Sequence, residues 1–352
     1  MRAAVLERVG EPLSICSGIA LPNLKPGQVS VSVAYSGVCR SQLMELKGLR
    51  GEDHFLPHLL GHEGTGVVMA VGEGVTKVSP GDWVVIGWIK GAGLDGGGVQ
   101  YVHGERIINA GAATTFNEQG VVSENRLVRL PAGVPADLGV LFGCAVPTGA
   151  GIVMNSVRPA ATSTVAIIGL GGIGLSALMA LRLFPCKMII AADTSSEKLA
   201  LAGEFGATVT IDSSRSSLVA EIRALTGGFG ADYVVEAAGR VDTIEQAFES
   251  TRRGGLCVFA SHPENGRKIS IDPYELICGK RIVGSWGGQC KPDEAIPMFG
   301  DLYRKGVLPL ERLVKRRYSL EQINEALRDL EDPEVLRPLI EVSPGLWANS
   351  PL

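Results

Sequence analysis

The stretch TVAIIGLGGIGLSALMALRLF at residues 164–184 constrains this chain more than any other. A fully apolar, β-branched run passes straight into three spaced glycines and then into strong helix formers. A strand apolar on both faces has to be covered on both faces, which is the situation of a parallel sheet between helices. Gly169, Gly171 and Gly174 stand where such a strand turns into its helix. The first permits the tight turn, the second lets the backbone approach a pyrophosphate, and the third allows close helix–strand contact. Gly172 and Ile173 lie between them, and the amides opening the helix favour phosphate charge. Asp193 ends the next apolar strand, MIIAAD, 19 residues beyond Gly174, where an acid can hold a ribose diol. A carboxylate there repels a 2′-phosphate, so the cofactor expected is NAD and not NADP. Lys198, five residues further on, is placed to cover the adenosine ribose.

The alternation continues. The helix SSEKLALAGEFGA, the strand ATVTID, the helix SSLVAEIRALTGG, the strand ADYVVEAAG, the helix IEQAFESTRRGG and the strand LCVFAS come in order. Strands alternating with helices of this length predict an α/β fold with a doubly wound parallel sheet. Before about residue 145 the texture differs. VSVSVAYSGV (29–38), TGVVMAVG (65–72) and DWVVIGWI (82–89) are separated by turn signals such as KPGQ and SPGD, which reads as irregular, mainly β structure. After 287 come two amphipathic helices (DEAIPMFGDLYRKG and LEQINEALRDLED), the short strand LRPLIEV, and a tail of ten residues containing Trp347. At 352 residues the chain is longer than one core usually supports, so two domains are expected.

A second G-x-G-x-x-G match, GAGLDG at 91–96, fails the same tests. The next residues are GGVQYVHGERI, glycines and β-formers with no helix and no strand ending in an acid. It is not a phosphate cradle.

The formal net charge is −4 and no run of five like charges occurs, which speaks against a nucleic-acid or anionic-membrane partner. The N-terminus has no apolar signal-peptide core, and no apolar stretch approaches membrane-spanning length. Seven cysteines, at 16, 39, 144, 186, 257, 278 and 290, form no C-x-x-C pair. An odd, scattered set is not a disulfide framework, so a reducing, cytoplasmic compartment is expected.

Three short stretches hold candidate metal ligands: GVCRSQ (37–42), LGHEGTG (60–66) and LFGCAVPTG (141–149). Cys39, His62 and Cys144 together would make a Cys₂His set, which zinc takes tetrahedrally with the fourth position open in a catalytic site. Their spacing alone does not decide between ligands and buried packing residues.

The phrases GVCRSQ, LLGHEGTGVV, GEGVTKVSPGDWVV, LFGCAVPTGAG, VAIIGLGGIGLSALMA and IIAADTSSEKLALAGEFGA occur in one order along nearly the whole chain. In this the sequence resembles the zinc-dependent alcohol dehydrogenases of the medium-chain dehydrogenase/reductase superfamily. The resemblance implies a β-rich, chaperonin-10-like catalytic domain over 1–146 and 288–352, with the NAD-binding Rossmann domain inserted at 147–287 and an active-site cleft between the two. It implies catalytic zinc ligands at Cys39, His62 and Cys144. A Cys₂His catalytic site is the arrangement by which alcohol dehydrogenases themselves are known, so recognition and not spacing makes this assignment. The resemblance further implies reversible NAD-dependent oxidation of a small-molecule alcohol to an aldehyde or ketone, and a homo-oligomer, a dimer before a tetramer.

By the same resemblance Ser41 matches the hydroxyl that hydrogen-bonds the alcohol and starts the proton relay, and Glu63 the acid beside the metal. Arg40 and Arg337 match contacts to the cofactor pyrophosphate, Thr148 a residue near the nicotinamide, and Trp88 an aromatic lining the substrate pocket. Phe259, Ala260, Ser261 and Trp286 correspond to the nicotinamide surroundings.

The departures are as informative. Met44 stands where the relay histidine commonly stands, so the proton is expected to leave through the ribose hydroxyl to water or through a group such as His54. Gln42 replaces an aspartate that commonly supports the metal-binding histidine; its amide is expected to accept from the imidazole N–H, with less effect on ligand basicity. The loop GLRGEDHFLPH is longer and more polar than usual and points to a polar substrate, such as a polyol, sugar or cyclitol. No cysteine occurs between 40 and 143, so the four-cysteine lobe that holds a structural zinc in many relatives cannot form, and a single zinc per chain is expected. Two rival readings are a zinc-independent quinone or enoyl reductase on the same scaffold, and an NAD-binding sensor or scaffold without turnover.

Overall fold

The structure, a computed structural model, describes residues 1–332, 334–343 and 345. Trp347 and the end of the expected tail lie outside the described residues. The chain divides into two compact units, one of residues 1–144 with the chain from Lys291 onward, the other Ala145–Cys290. The breaks thus come after Cys144 and Cys290, where the sequence suggests 146 and 287.

In the unit Ala145–Cys290 a six-stranded parallel sheet is formed by Thr164–Ile168, Met188–Asp193, Val209–Asp212, Ala231–Glu236, Thr251–Phe259 and Arg281–Gly284. Their order across the sheet is third, second, first, fourth, fifth, sixth, the doubly wound order of a Rossmann domain. Thr164–Ile168 is buried at every position, as its apolar sequence demands for a central strand. The order reverses between the first and fourth strands, and ligands of such sheets bind at that switch point. Helices Gly172–Leu181, Ser196–Glu204, Leu218–Leu225 and Val241–Ser250 connect the strands. Ser195 and Ser217 cap two of them by accepting the amide hydrogens of Lys198 and Ala220. One expected boundary moves. The helix read through TRRGG stops at Ser250, and Thr251 opens a strand by pairing with Ala231. A β-branched residue near two glycines gives up helical propensity just where a sheet edge offers partners.

The other unit is β-rich, with a five-stranded and a seven-stranded sheet. Its long strand Gln28–Gly37 pairs with Gly64–Val71, Gln119–Ser123 and Leu339–Glu341, so the returning C-terminal stretch is stitched into the N-terminal one. The core mixes both stretches: Val29, Val31, Val33, Ile86 and Phe116 share a cluster with Tyr318, Leu320 and Ile340. Three local expectations change. The strand read over 82–89 is Trp83–Ile86 only. A short helix, Arg40–Leu46, stands in the part read as β. LEQINEALRDLED starts as a 3₁₀ turn, Leu320–Gln322, and is α-helical only over Ile323–Asp329. The expected helix in DEAIPMFGDLYRKG forms as Pro292–Arg304, with Pro297 inside it.

The GAGLDG segment forms neither helix nor strand. Its backbone is held by side-chain acceptors instead. Buried Glu124 takes the amides of Thr76 (2.7 Å), Lys77 (2.8 Å) and Leu94 (2.6 Å), and Asp293 takes that of Ala92 at 2.6 Å while pairing with Lys77. Ser123 Oγ accepts from the Gly96 amide at 2.7 Å, and Gln28 Nε2 donates to the Gly96 carbonyl at 3.0 Å. Among the described residues no single helix is long and apolar enough to cross a membrane, and all seven cysteines are free thiols.

Candidate functional site

Three separate turns of the β-rich unit bring the candidate ligands together. Cys39 precedes the helix Arg40–Leu46; His62 and Glu63 lie between the strands His58–Leu59 and Gly64–Val71; Cys144 comes directly after the 3₁₀ turn Val140–Gly143. One ligand atom from each of Cys39, His62, Glu63 and Cys144 lies within 4.8 Å of all the others. The approach needs Gly143, where a Cβ would sit 2.4 Å from the Ile86 carbonyl oxygen and 2.9 Å from Glu63 Cα.

The cluster is electrostatically unusual. Glu63 is fully buried, and Arg337, only 6% exposed, reaches it with Nη2 at 3.1 Å from Oε1 and 3.2 Å from Oε2. Burial works against the Arg337 charge, but Glu63, then Cys39 and Cys144, raise its pKa above the ordinary value. A hydrogen bond from Cys144 holds the Cys39 thiol well below its ordinary range despite burial, with Arg337 and His62 helping. The same bond, with burial, pushes Cys144 well above its range. The shared hydrogen bond thus pushes the two sulfurs in opposite directions, and a cation placed among them would take up both as thiolates. His62 Nε2 is buried here with no partner of hydrogen-bond geometry. Two sulfurs and one imidazole nitrogen in a largely buried set fit zinc by donor type.

Ser41 Oγ, in the first turn of the short helix, is buried without a hydrogen-bond partner. Met44 is 8% exposed and apolar, so no proton carrier occupies its position. His54 is solvent-exposed and lies 3.7 Å from Glu52. Trp88 is half-buried and its carbonyl accepts from Arg126, while Arg40 is exposed. Arg337 precedes the strand Leu339–Glu341 instead of lying in it, and its guanidinium is committed to Glu63 and the Val38 carbonyl. The expected hydrogen bond of Gln42 is reversed: its oxygen accepts the Cys39 amide at 2.9 Å, which leaves its NH₂ against His62 Nδ1.

Sequence reasoning missed a second polar cluster. His58 is buried, with Nδ1 3.0 Å from the Leu59 carbonyl and Nε2 2.8 Å from Asp53, and Glu45 lies 3.9 Å away. These contacts tether the polar loop GLRGEDHFLPH; a pattern with no periodicity gives no sign of them.

On the parallel sheet the three glycines differ in what surrounds them. Gly169 has φ +88°, and a Cβ there would meet the Ala238 amide at 2.6 Å. A Cβ on Gly174 would fall 1.9 Å from the Gly169 carbonyl oxygen, whereas on Gly171 it would meet nothing within 4 Å. The third glycine is thus a packing requirement, and the second leaves open space for a ligand. Gly172 and Ile173 are partly exposed beside it. The Asp193 carboxylate is fixed at its strand end by the amides of Leu170 (2.6 Å), Thr194 (2.9 Å) and Ser195 (3.1 Å). Lys198 is half-buried in the next helix. Thr148 is buried in Ala145–Gly151, Phe259, Ala260 and Ser261 are half-buried at the end of the fifth strand, and Trp286 is 77% exposed. Gly174→Ala should therefore lower thermal stability by about 3 kcal/mol or more, because no side chain can yield to it. Gly171→Ala should leave the melting temperature unchanged and weaken NADH binding roughly tenfold, read by fluorescence titration. Equal melting temperatures for the two variants would contradict this division.

A doubly wound parallel sheet and a largely buried Cys₂His donor set thus occur in one chain. Among family models, "Alcohol dehydrogenase GroES-like domain" matches residues 25–132 and "Zinc-binding dehydrogenase" residues 172–302. The class-3 alcohol dehydrogenase of Myxine glutinosa is 32% identical over 369 residues, covering 97% of each chain. An S-(hydroxymethyl)glutathione dehydrogenase of Escherichia coli is 32% identical over 366 residues, covering 96% of this chain and 99% of that one. The benzyl alcohol dehydrogenase structure from Acinetobacter calcoaceticus is 28% identical with a TM-score of 0.87, covering 97% of this chain and 99% of that one. The chain belongs to the zinc-dependent alcohol dehydrogenases of the medium-chain dehydrogenase/reductase superfamily.

Proposed function

We propose that this alcohol dehydrogenase uses NAD and a single zinc, held by Cys39, His62 and Cys144, to interconvert a primary or secondary alcohol, a polyol, sugar or cyclitol among them, with its aldehyde or ketone. The observation that carries the reading is the gathering of these donor atoms within 4.8 Å of one another. When bound, zinc supplies Lewis-acid polarisation of the substrate oxygen, and the nicotinamide accepts the hydride. The chain does the rest. Ser41, with its hydroxyl free, accepts the alcohol proton. With Met44 apolar, no side chain at that position carries the proton onward from Ser41. The Glu63–Arg337 pair tunes the charge beside the ligands; Trp88 in the same unit is read as lining the substrate pocket, and Thr148 in the other unit as lying near the nicotinamide. Gly169, Gly171, Gly172, Ile173, Gly174, Asp193 and Lys198 hold the nucleotide, with Arg40, Ala260 and Trp286 as further contacts. The neutral neighbours of Asp193, Thr194 and Ser195, favour NAD over NADP.

A donor set of this kind speaks against the zinc-independent reductase, and an unpartnered Ser41 hydroxyl beside it against a sensor without turnover. The test is a screen of alcohols, polyols and cyclitols in both directions, monitored by NADH absorbance. Turnover of any alcohol in the screen supports the reading; silence across the screen by metal-loaded protein overturns it.

The segment that carries a structural-zinc lobe in many relatives is held here by Glu124 and Asp293, which supports a single zinc per chain. Homodimerisation is also proposed. The strand Arg281–Gly284 ends the parallel sheet, pairing with Thr251–Phe259; it carries the exposed Val283 (41%), and the helix just before it in the chain carries Tyr274 and Ile277 (81% exposed). An edge strand with apolar neighbours is a template for a second copy. Ile277→Glu with Val283→Glu should weaken the dimer about 100-fold or more, given roughly 1.5–3 kcal/mol for each buried aliphatic side chain. Sedimentation showing a monomeric wild-type chain would contradict it.

A further inference from the structure

We propose that Gln42 is a positioning residue that keeps this metal centre loosely loaded and readily exchanged. As the side chain is placed, its oxygen faces the Cys39 amide and its NH₂ faces His62, so the acceptor that a metal-ligating His62 needs lies on the wrong side. The inference rests on the reading of Cys39, His62 and Cys144 as zinc ligands.

Gln42 is buried, 2% exposed, between two groups that each need it. The Cys39 amide donates to Oε1 at 2.9 Å, and this bond closes the first turn of Arg40–Leu46 and sets the position of the Cys39 sulfur. The Nε2 side of the amide then faces His62 Nδ1. An NH₂ group only donates, so in this arrangement Nδ1 carries the lone pair and Nε2 carries the hydrogen. Nε2 is also the buried, unpartnered nitrogen of His62. A metal on Nε2 needs the opposite tautomer, with the lone pair on Nε2 and an N–H on Nδ1 that seeks an acceptor. Turning the amide over would supply that acceptor but would set NH₂ against the Cys39 N–H and leave a buried donor unmatched. Either orientation leaves one hydrogen bond wrong once metal is bound. A carboxylate in the same place has two acceptor oxygens and satisfies both groups at once.

The expected size of the effect comes from the usual reach of such supporting partners, roughly 10–100-fold in metal affinity. Gln42→Glu is isosteric and supplies the second acceptor; Gln42→Asp supplies it on a shorter stem. Gln42→Leu fills similar space and supplies none. The experiment transfers zinc from each metal-loaded protein to a chromophoric chelator, without NAD or substrate, and tracks equilibrium and rate. Melting temperatures of the metal-free forms identify any folding defect. The expected result is roughly 10–100-fold tighter and slower-exchanging zinc in Gln42→Glu or Gln42→Asp, and no tightening in Gln42→Leu. Carboxylate variants that fold and hold zinc within about twofold of wild type, far short of that range, would overturn the proposal. Tightening by Gln42→Leu equal to that by Gln42→Glu would overturn it too. Failure of every form to take up zinc would instead overturn the underlying metal reading.

Discussion

Cys39→Ser is expected to lower kcat/KM for alcohol oxidation by about 10³-fold or more, while NAD binding stays within about threefold. Removing one of two sulfur donors replaces a thiolate by a neutral hydroxyl, a poor zinc ligand at neutral pH. Lewis-acid stabilisation is worth several kcal/mol, and about 4 kcal/mol corresponds to that loss. The substitution should leave the local fold intact, because serine is a good N-cap and Cys39 occupies the N-cap of Arg40–Leu46. The residues proposed to hold the nucleotide, within 169–198, belong to the other compact unit. Steady-state kinetics, zinc content and an NADH titration on one sample check all three statements. Near-wild-type turnover in a sample shown to lack zinc would refute the ligand assignment.

Arg337→Met should produce the largest loss of stability. It removes the Arg337 guanidinium from the fully buried Glu63 carboxylate, and breaking such a pair costs about 3–5 kcal/mol. The corresponding drop in melting temperature is on the order of 10 °C. The loss should depend on pH with a definite sign. Without the guanidinium, and with no metal bound, burial disfavours the charged form of Glu63 in the folded state. Protonation then relieves the deficit, so the metal-free variant is least impaired at acid pH and increasingly impaired as pH rises. Adding Glu63→Gln to Arg337→Met should recover much of the loss, since the buried charge is removed with it. Thermal melts of the two single variants and the double variant across pH give the coupling directly. A loss that does not change with pH, and persists in the double variant, would locate the damage in packing.

These two sites differ in how much of them the sequence discloses. The glycine turn proposed to hold the phosphates is legible residue by residue because everything it needs is local: an apolar strand, glycines at fixed spacing, a helix and an acid at the next strand end. Gly171 and Gly174 differ in what surrounds them. The donor cluster is not legible in that way. Cys39, His62 and Cys144 sit in three loops with no periodic relation, and resemblance alone singles them out. The Glu63–Arg337 pair joins residues 274 positions apart and leaves no trace in either local pattern. Gln42 stands out in the sequence as a departure, but the direction of its hydrogen bonds depends on the Cys39 amide, which only folding places beside it. Secondary structure differs from expectation where local propensity loses to tertiary partners, at TRRGG and at the short helix behind Cys39. The decoy glycines at 91–96 are excluded by the β-forming residues after them. The carboxylates that hold that loop, Glu124 and Asp293, come from distant positions and carry no local signal.

The central claim, one catalytic zinc per chain, is tested most directly by titrating chelator-stripped protein with zinc while monitoring NADH formation from the best alcohol in the screen. Activity should rise linearly and stop rising at one zinc per chain. Full activity before zinc is added, or a rise that continues to two, would contradict the account.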